Sequence, residues 1–216
     1  MKAKADAIIH REQAEYLDHL ITQRDPLLAE MDAYAAEHRV PIADREVARF
    51  LEITARAINA RRVLEIGMAI GYSVVHLARG MSEHSIVETI EPSDEMIRAA
   101  SDFLHRANLS SSVEIARGKA LDMMPDLIGD YDLLYIDAVK EEYKQYLDLG
   151  LPLLRTGGVV VVDNLLWGGK VAKERRNDDS STIALREFNR YFMNHPELRS
   201  EILSVGDGLG YAVKIS

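Results

Sequence analysis

The sequence contains no cysteine. Disulfides, thiolate metal sites and a cysteine nucleophile are therefore excluded, and any bound metal must be held by oxygen or imidazole. Long apolar runs are missing too. The longest, 157–162, falls far short of the ~18 residues that span a bilayer. The N-terminal stretch MKAKADAIIHREQAEYL lacks the apolar centre of a signal peptide. A cytoplasmic protein with no membrane partner is expected. Positive charge is in deficit: the formal net charge is -9. This disfavours a general nucleic-acid binder while leaving room for a local basic patch. No GxGxxG fingerprint is present, which disfavours a nicotinamide reductase. No serine sits in a GxSxG context, and the seven histidines show no metal-ligand spacing.

What is present begins with enough apolar material, 47% of 216 residues, to bury a sizeable core. Residues 8–60 read as helical, with Ile8, Ile9, Tyr16, Leu17, Leu20 and Ile21 at helical spacing. Asp25 and Pro26 read as the cap and first turn of a second helix, and VPI at 40–42 interrupts the pattern. From residue 61 the rhythm changes. Short β-branched runs at 62–66, 86–90, 113–117, 131–136 and 158–162 alternate with helices near 72–80, 94–107, 120–128, 141–150 and 181–194. Apolar strands alternating with helices imply a mostly parallel, doubly wound Rossmann-like α/β sheet. Two short strands flank GDG at 206–208, so an antiparallel hairpin is expected at the C-terminal side. The expected organisation is a single domain over 1–216, a helical extension at 1–60 followed by the core at 61–216.

In such a sheet, ligands bind beyond the carboxyl ends of the strands. In VLEIGMAIGYS a strand ends, Gly67 and Gly71 follow four apart, and a helix begins. Glu65 just before this loop repels phosphate, so a cationic or hydroxylated ligand suits it better. Glu91 closes the next strand in VETIEPS, where an acid can accept hydrogen bonds from ribose hydroxyls. Ser93 or Asp94 is available to cap the following helix, which leaves Glu91 freer for a ligand. Two further strands, YDLLYIDAVK and GVVVVDN, stop on Asp137 and on Asp163–Asn164. If the strands are neighbours, the two carboxylates repel and one carboxyl group's pKa rises, unless a divalent cation lies between them. Hard oxygen ligands suit Mg²⁺, Mn²⁺ or Ca²⁺. The bland alternative is that each aspartate caps a helix.

Lys140 stands in the first turn of the next helix, where the helix dipole disfavours it. That local cost suggests general-base work, against the plainer reading of a surface lysine. Trp167, the only tryptophan, adjoins Asp163–Asn164; it either stacks on a planar substrate or packs. Lys170, Lys173, Arg175 and Arg176 fall within seven positions, forming either a solvated loop or a rim for an anionic substrate.

Taken together, VLEIGMAIGYS, TIEPSDEM, YIDAVKEEY, LLRTGGVVVVDNLLWGGKV and VGDGLGYAVK come in the order and spacing of a known family. The chain resembles, over about 40–216, the cation-dependent class I S-adenosylmethionine O-methyltransferases, similar to catechol and caffeoyl-CoA O-methyltransferases. The resemblance implies an enzyme in which Asp137, Asp163 and Asn164 hold the metal and Lys140 deprotonates the acceptor hydroxyl. It implies Glu91 as the ribose acid, and Glu65, Gly67 and Ser73 as contacts to the methionine end. Asp137 also joins the cofactor-binding set, Ala120 lines the adenine pocket, and Ile42 covers the cofactor. Trp167 is the substrate contact, and a homodimer is expected. Two departures stand out. Lys119 replaces the aspartate common in the family, so its contact to the adenine amine is in doubt. Met68 and Ile70 replace the usual Thr or Phe of the first loop. The expected acceptor is a small catechol-like diol. AIGYS, REFNRYFMNHPEL and VGDGLG also resemble a bacterial subgroup that includes enzymes methylating wobble 5-hydroxyuridine in tRNA, which is the alternative acceptor. A non-catalytic cofactor-binding module is the alternative of another class.

Overall fold

The structure, a computed structural model, describes residues 10–21 and 25–216. The predicted helical residues Ile8 and Ile9 lie outside the described residues. Three helices come first: α1 (Arg11–Leu20), α2 (Pro26–His38) and α3 (Arg45–Ala57). Asp25 caps α2 as expected, its carboxylate accepting from the amides of Leu27 and Leu28. The predicted break at 40–42 is real: Arg39 turns left-handed (φ 57°) and ends α2.

The alternating part follows as β1 (Arg62–Ile66), α4 (Tyr72–Gly80), β2 (Ile86–Glu91), α5 (Asp94–Arg106), β3 (Val113–Arg117), α6 (Ala120–Met123) and β4 (Tyr131–Ile136). Then come α7 (Tyr143–Gly150), β5 (Leu154–Val162), α8 (Ser180–Met193), β6 (Leu198–Leu203) and β7 (Leu209–Lys214). The seven strands form one sheet in the order β3-β2-β1-β4-β5-β7-β6. The first five are parallel, and β7 pairs antiparallel with both β5 and β6. This is the expected doubly wound sheet with its antiparallel C-terminal hairpin.

Period-two alternation sends successive side chains to opposite faces. Val63, Leu133, Tyr135, Val159 and Val161 join the core under α2 to α5. Leu64, Ile66, Leu134, Ile136, Val160 and Val162 join the core with Phe188 and Phe192 of α8. With both faces covered, β4 and β5 carry continuous apolar runs at 133–136 and 159–162, and each fully buried Leu or Val contributes about 1.5–3 kcal/mol.

Three element boundaries differ from expectation. The helix expected over 120–128 is one α-turn followed by a 3-10 turn at Met124–Asp126. Pro125 has no N–H for the Leu121 carbonyl, and its ring would clash there, so the α-helix stops. The helix expected from 141 begins instead as a 3-10 turn at Lys140–Glu142. Strand β5 starts earlier than expected, at Leu154.

Strand β1 lies between β2 and β4, so the chain reverses direction across the sheet there. The crevice beyond the carboxyl ends of β1 and β4 is where an open α/β sheet binds ligands. No described helix is long and apolar enough to cross a membrane.

Candidate active site

The sheet ladder runs one residue past the strands and carries the acids into the crevice. The Asp137 amide donates to the Ile66 carbonyl (2.9 Å), and the Asp163 amide to that of Ile136 (3.0 Å). Because β4 and β5 are neighbours, Asp137 and Asp163 arrive side by side. Asp163 is 2% exposed. Burial, and then the Asp137 charge, push its carboxyl group well above the usual carboxylate range, while the Asn164 amide and Lys140 pull it back. One Asp163 oxygen accepts from the Asn164 amide (2.7 Å), the other from the Tyr135 hydroxyl (3.2 Å).

Lys140 Nζ is the hub. It donates to Asp137 Oδ1 (2.8 Å), Asn164 Oδ1 (2.7 Å) and Tyr143 OH (2.6 Å). The Tyr143 hydroxyl in turn donates to the Asp163 carbonyl (3.1 Å). So the structure brings Asp137, Asp163, Asn164 and Lys140 together, as their strand-end positions suggested. Lys140 is no surface lysine; its side chain is 11% exposed. Among the described residues, no three His, Asp or Glu side chains gather as a metal cage. The donor set is two carboxylates and one amide. Two of those oxygens already converge on a cation, the Lys140 ammonium, which offsets the charge that half-buried Asp137 sets beside buried Asp163. A hard divalent ion completed by water or substrate oxygens fits such a set.

On the β1 side, Gly67 adopts φ 96°, and a Cβ there would press into the Asp137 backbone. This close approach seats the first loop against the aspartate. Glu65 is fully buried and accepts from Ser73 Oγ (2.5 Å) and Thr89 Oγ1 (2.6 Å). Burial lifts its carboxyl group to about 7, the two hydroxyls oppose this, and the Asp137 and Glu91 charges add to it. Ser73, expected at the methionine end, here satisfies Glu65. Glu91 is not free as expected: its oxygens accept from the amides of Ala69 (3.0 Å) and Ser93 (2.9 Å). These loop amides have no strand partner, and the carboxylate is the acceptor within reach. Ser93 does cap α5, accepting from the Met96 amide (3.4 Å).

The remaining expected residues fall as follows. Ala120 is buried in the first turn of α6, and Lys119 before it is exposed. Ile42 is half-buried against the core under α2 to α5. Met68 and Ile70 are buried in that same core. Trp167 is half-buried, with Lys140 Nζ at 5.7 Å and Lys170 Nζ at 5.6 Å from its ring centre. Lys170 pairs with Asp179 (3.1 Å), while Lys173, Arg175 and Arg176 are exposed. Arg186 fastens this loop through the carbonyls of Lys170, Val171 and Lys173 and the Asp178 carboxylate. A separate cleft of about 480 Å³ shares none of these residues. It is lined by Asp25, Glu30, Arg79 and Arg106, and its arginines are already paired with Asp25 and Glu30.

The sequence reading missed Tyr135, Tyr143 and Thr89. Tyr143 lies three residues after Lys140, a helical spacing that would have paired them. Nothing local announces Thr89 or the Tyr135 hydroxyl.

The raised Glu65 carboxyl has a consequence for stability. A carboxyl group whose folded value lies above its unfolded one stabilises fully below the unfolded value, near 4.5, and this is lost as pH rises through about 7. Without cofactor, thermal stability should fall between pH 5 and pH 8. Glu65→Gln should flatten that fall by on the order of 3 kcal/mol. Melting curves for both proteins across this range would decide; parallel curves would refute the assignment.

The O-methyltransferase family profile matches residues 12–215. The chain is 36% identical over 206 residues to the catechol O-methyltransferase of Mycobacterium tuberculosis, covering 92% of this chain and 93% of that protein. It is 31% identical to the catechol O-methyltransferase of Niastella koreensis, covering 92% and 96%. Among solved structures, the O-methyltransferase TomG of Streptomyces achromogenes, involved in tomaymycin synthesis and solved in complex with SAM, superposes with a TM-score of 0.85. That match has 28% identity and covers 95% of this chain and 96% of TomG.

Proposed function

We propose, from the premise that the chain belongs to the O-methyltransferase family, that it methylates one hydroxyl of a catechol-like vicinal diol with the help of a divalent cation and Lys140. It is an S-adenosylmethionine-dependent O-methyltransferase; the metal, the base and the acceptor are the proposed part. The observation that carries the reading is the convergence of Asp137 Oδ1 and Asn164 Oδ1 on Lys140 Nζ, beside buried Asp163.

Asp137, Asp163 and Asn164 would hold the cation. When bound, it supplies a Lewis acid that lowers the pKa of an adjacent hydroxyl. Lys140 donates three hydrogen bonds as an ammonium here; with Asp137 and Asn164 given over to a cation, it would act as the neutral amine, whose lone pair takes the acceptor proton. Tyr143 holds that amine from behind. The acceptor oxygen would take the methyl in line, the O–CH3 bond forming as the S–CH3 bond breaks and the neutral thioether leaves, with no covalent enzyme intermediate. The protein's part is to fix the oxygen in attack geometry. Gly67 lets the cofactor loop approach Asp137, each Glu91 oxygen keeps a lone pair beyond its loop amide that suits ribose hydroxyls, and buried Glu65 braces Ser73 at the proposed methionine end.

The test is methyl transfer from labelled S-adenosylmethionine to a catechol panel with Mg²⁺, with and without chelator, alongside Mn²⁺ binding by magnetic resonance. Chelation should abolish turnover. Asp163→Ala should weaken Mn²⁺ binding by at least about 10–100-fold, the range lost when a metal site's supporting groups are removed. Turnover indifferent to chelator, or Asp163→Ala with unaltered activity, rejects the metal reading.

Exposed Lys173, Arg175 and Arg176, on the loop after Trp167, favour a second acceptor, wobble 5-hydroxyuridine of tRNA, whose backbone such cations attract. Labelled donor incubated with cell extract separates the two: label enters small molecules in the first case and RNA in the second. Exposed Tyr16, Leu17 and Leu20 on α1 support the homodimer reading, which sedimentation would check.

A further inference from the structure

After Asp163 the chain takes an unusual path. Asn164 (φ 64°), Trp167 (φ 49°), Gly168 (φ 60°) and Gly169 (φ 81°) all adopt left-handed backbone. Two glycines tolerate this, but a tryptophan there is an outlier. Such residues persist only where surrounding structure over-determines them, and they cluster at functional sites.

What over-determines Trp167 comes from the β6–β7 turn, 39 positions away in the chain. The Leu165 amide donates to the Gly208 carbonyl (2.8 Å), and the Leu166 amide to that of Asp207 (2.8 Å). The Gly168 amide donates to both Asp207 carboxylate oxygens (2.8 and 2.9 Å). Gly208 has no side chain because Leu166 N would lie 2.7 Å from a Cβ. On the turn's other side, a Cβ on Gly206 would lie 2.6 Å from Val47 Cγ2 and 3.3 Å from Asp44 Oδ2, at the start of α3. The turn is thus wedged against α3 and grips the two residues before Trp167 and the one after it. A hairpin needs no carboxylate in its turn. This one turns both oxygens to the Gly168 amide, and charge-assisted bonds of this kind are about twice as strong as neutral ones.

We propose that Asp207 is a positioning residue for the acceptor site: by binding the Gly168 amide it fixes Trp167 in its left-handed conformation, with the indole beside Lys140. The ring then sets the face on which a planar acceptor rests while its hydroxyl meets Lys140. The part concerning the acceptor rests on the function proposed above. The part concerning the indole does not.

Trp167 is the only tryptophan, so its fluorescence reports this one position. Asp207→Ala should shift emission to the red and increase acrylamide quenching severalfold. It should also raise acceptor KM about 10-fold while S-adenosylmethionine Kd stays within about twofold. Asp207→Asn keeps one carbonyl oxygen for the Gly168 amide and should restore most of each property, which also guards against an alanine variant that fails to fold. Emission and quenching identical to wild type in both variants would overturn the proposal. So would an equal weakening of acceptor and donor binding, which marks general destabilisation. Should no acceptor be turned over even by the wild type, the functional reading fails, and the fluorescence comparison alone still decides whether Asp207 holds the indole.

Discussion

Lys140→Met should lower kcat by about 10²–10⁴-fold, the usual contribution of a positioned acid or base. Methionine keeps the side chain's length and apolar stem but removes the amine that meets Asp137, Asn164 and Tyr143. S-adenosylmethionine binding should change little, because the groups proposed for the donor side, Glu65, Gly67 and Glu91, belong to β1, the loop from β1 to α4, and β2. Mn²⁺ binding should persist or tighten, since the ammonium no longer occupies Asp137 Oδ1 and Asn164 Oδ1. That combination, slow turnover with metal retained, separates a base from a structural cation. Single-turnover rates and Mn²⁺ titration on the same preparation would show it. Near-normal turnover in Lys140→Met would remove Lys140 from the chemistry.

Gly67→Ala should be the most damaging single methyl group in the protein. Its Cβ would overlap the Asp137 carbonyl oxygen far inside van der Waals contact, 2.9 Å from the carbonyl carbon and 3.1 Å from Ala138 Cβ. Backbone cannot yield as a side-chain tip can, and φ 96° is itself hostile to alanine. Overpacking a core typically costs about 1–3 kcal/mol, and the backbone conformation adds about 1–3 kcal/mol. Relief requires moving either the cofactor loop or Asp137, so donor affinity should fall by about 100-fold or more together with the melting temperature. Gly71→Ala is the comparison. Its Cβ would meet Ala100 Cβ at 3.4 Å, Ala100 Cα at 3.8 Å and Leu104 Cγ at 3.9 Å, none of them a hard overlap, so it should lose less on both measures although its φ is also positive. Calorimetric donor affinity for the two variants tests the ranking, and equal losses would contradict it.

Much of this architecture was legible because its signals are local. β4 and β5 are buried on both faces, so 133–136 and 159–162 read as unbroken apolar runs, and a run that halts on Asp137 or on Asp163–Asn164 marks a carboxyl end. Lys140 was legible from its dipole-opposed place in a first turn. Other features depend on what folding brings from afar. Glu91 looked free because the Ala69 amide that claims it lies 22 positions earlier. Met68 and Ile70 stood out only as departures from the usual Thr or Phe, and the tight turn between Gly67 and Gly71 sends them into the core. Asp207 read merely as turn chemistry, since its partner Gly168 belongs to another loop. The 120–128 helix was overextended because the apolar pattern continues through Pro125 while hydrogen bonding does not.

The strand order also bears on how a nascent chain becomes competent. β7 is translated after every other strand, yet it sits between β5 and β6. Until it leaves the ribosome, β6 has nothing to join, and β5 presents Val159–Val162 as an open apolar edge. Such an edge is a template for association with other chains. The donor half, built on β1 and β2, can condense earlier. The half that carries Trp167 waits for the last strand, and that interval is when a chaperone would have most to do.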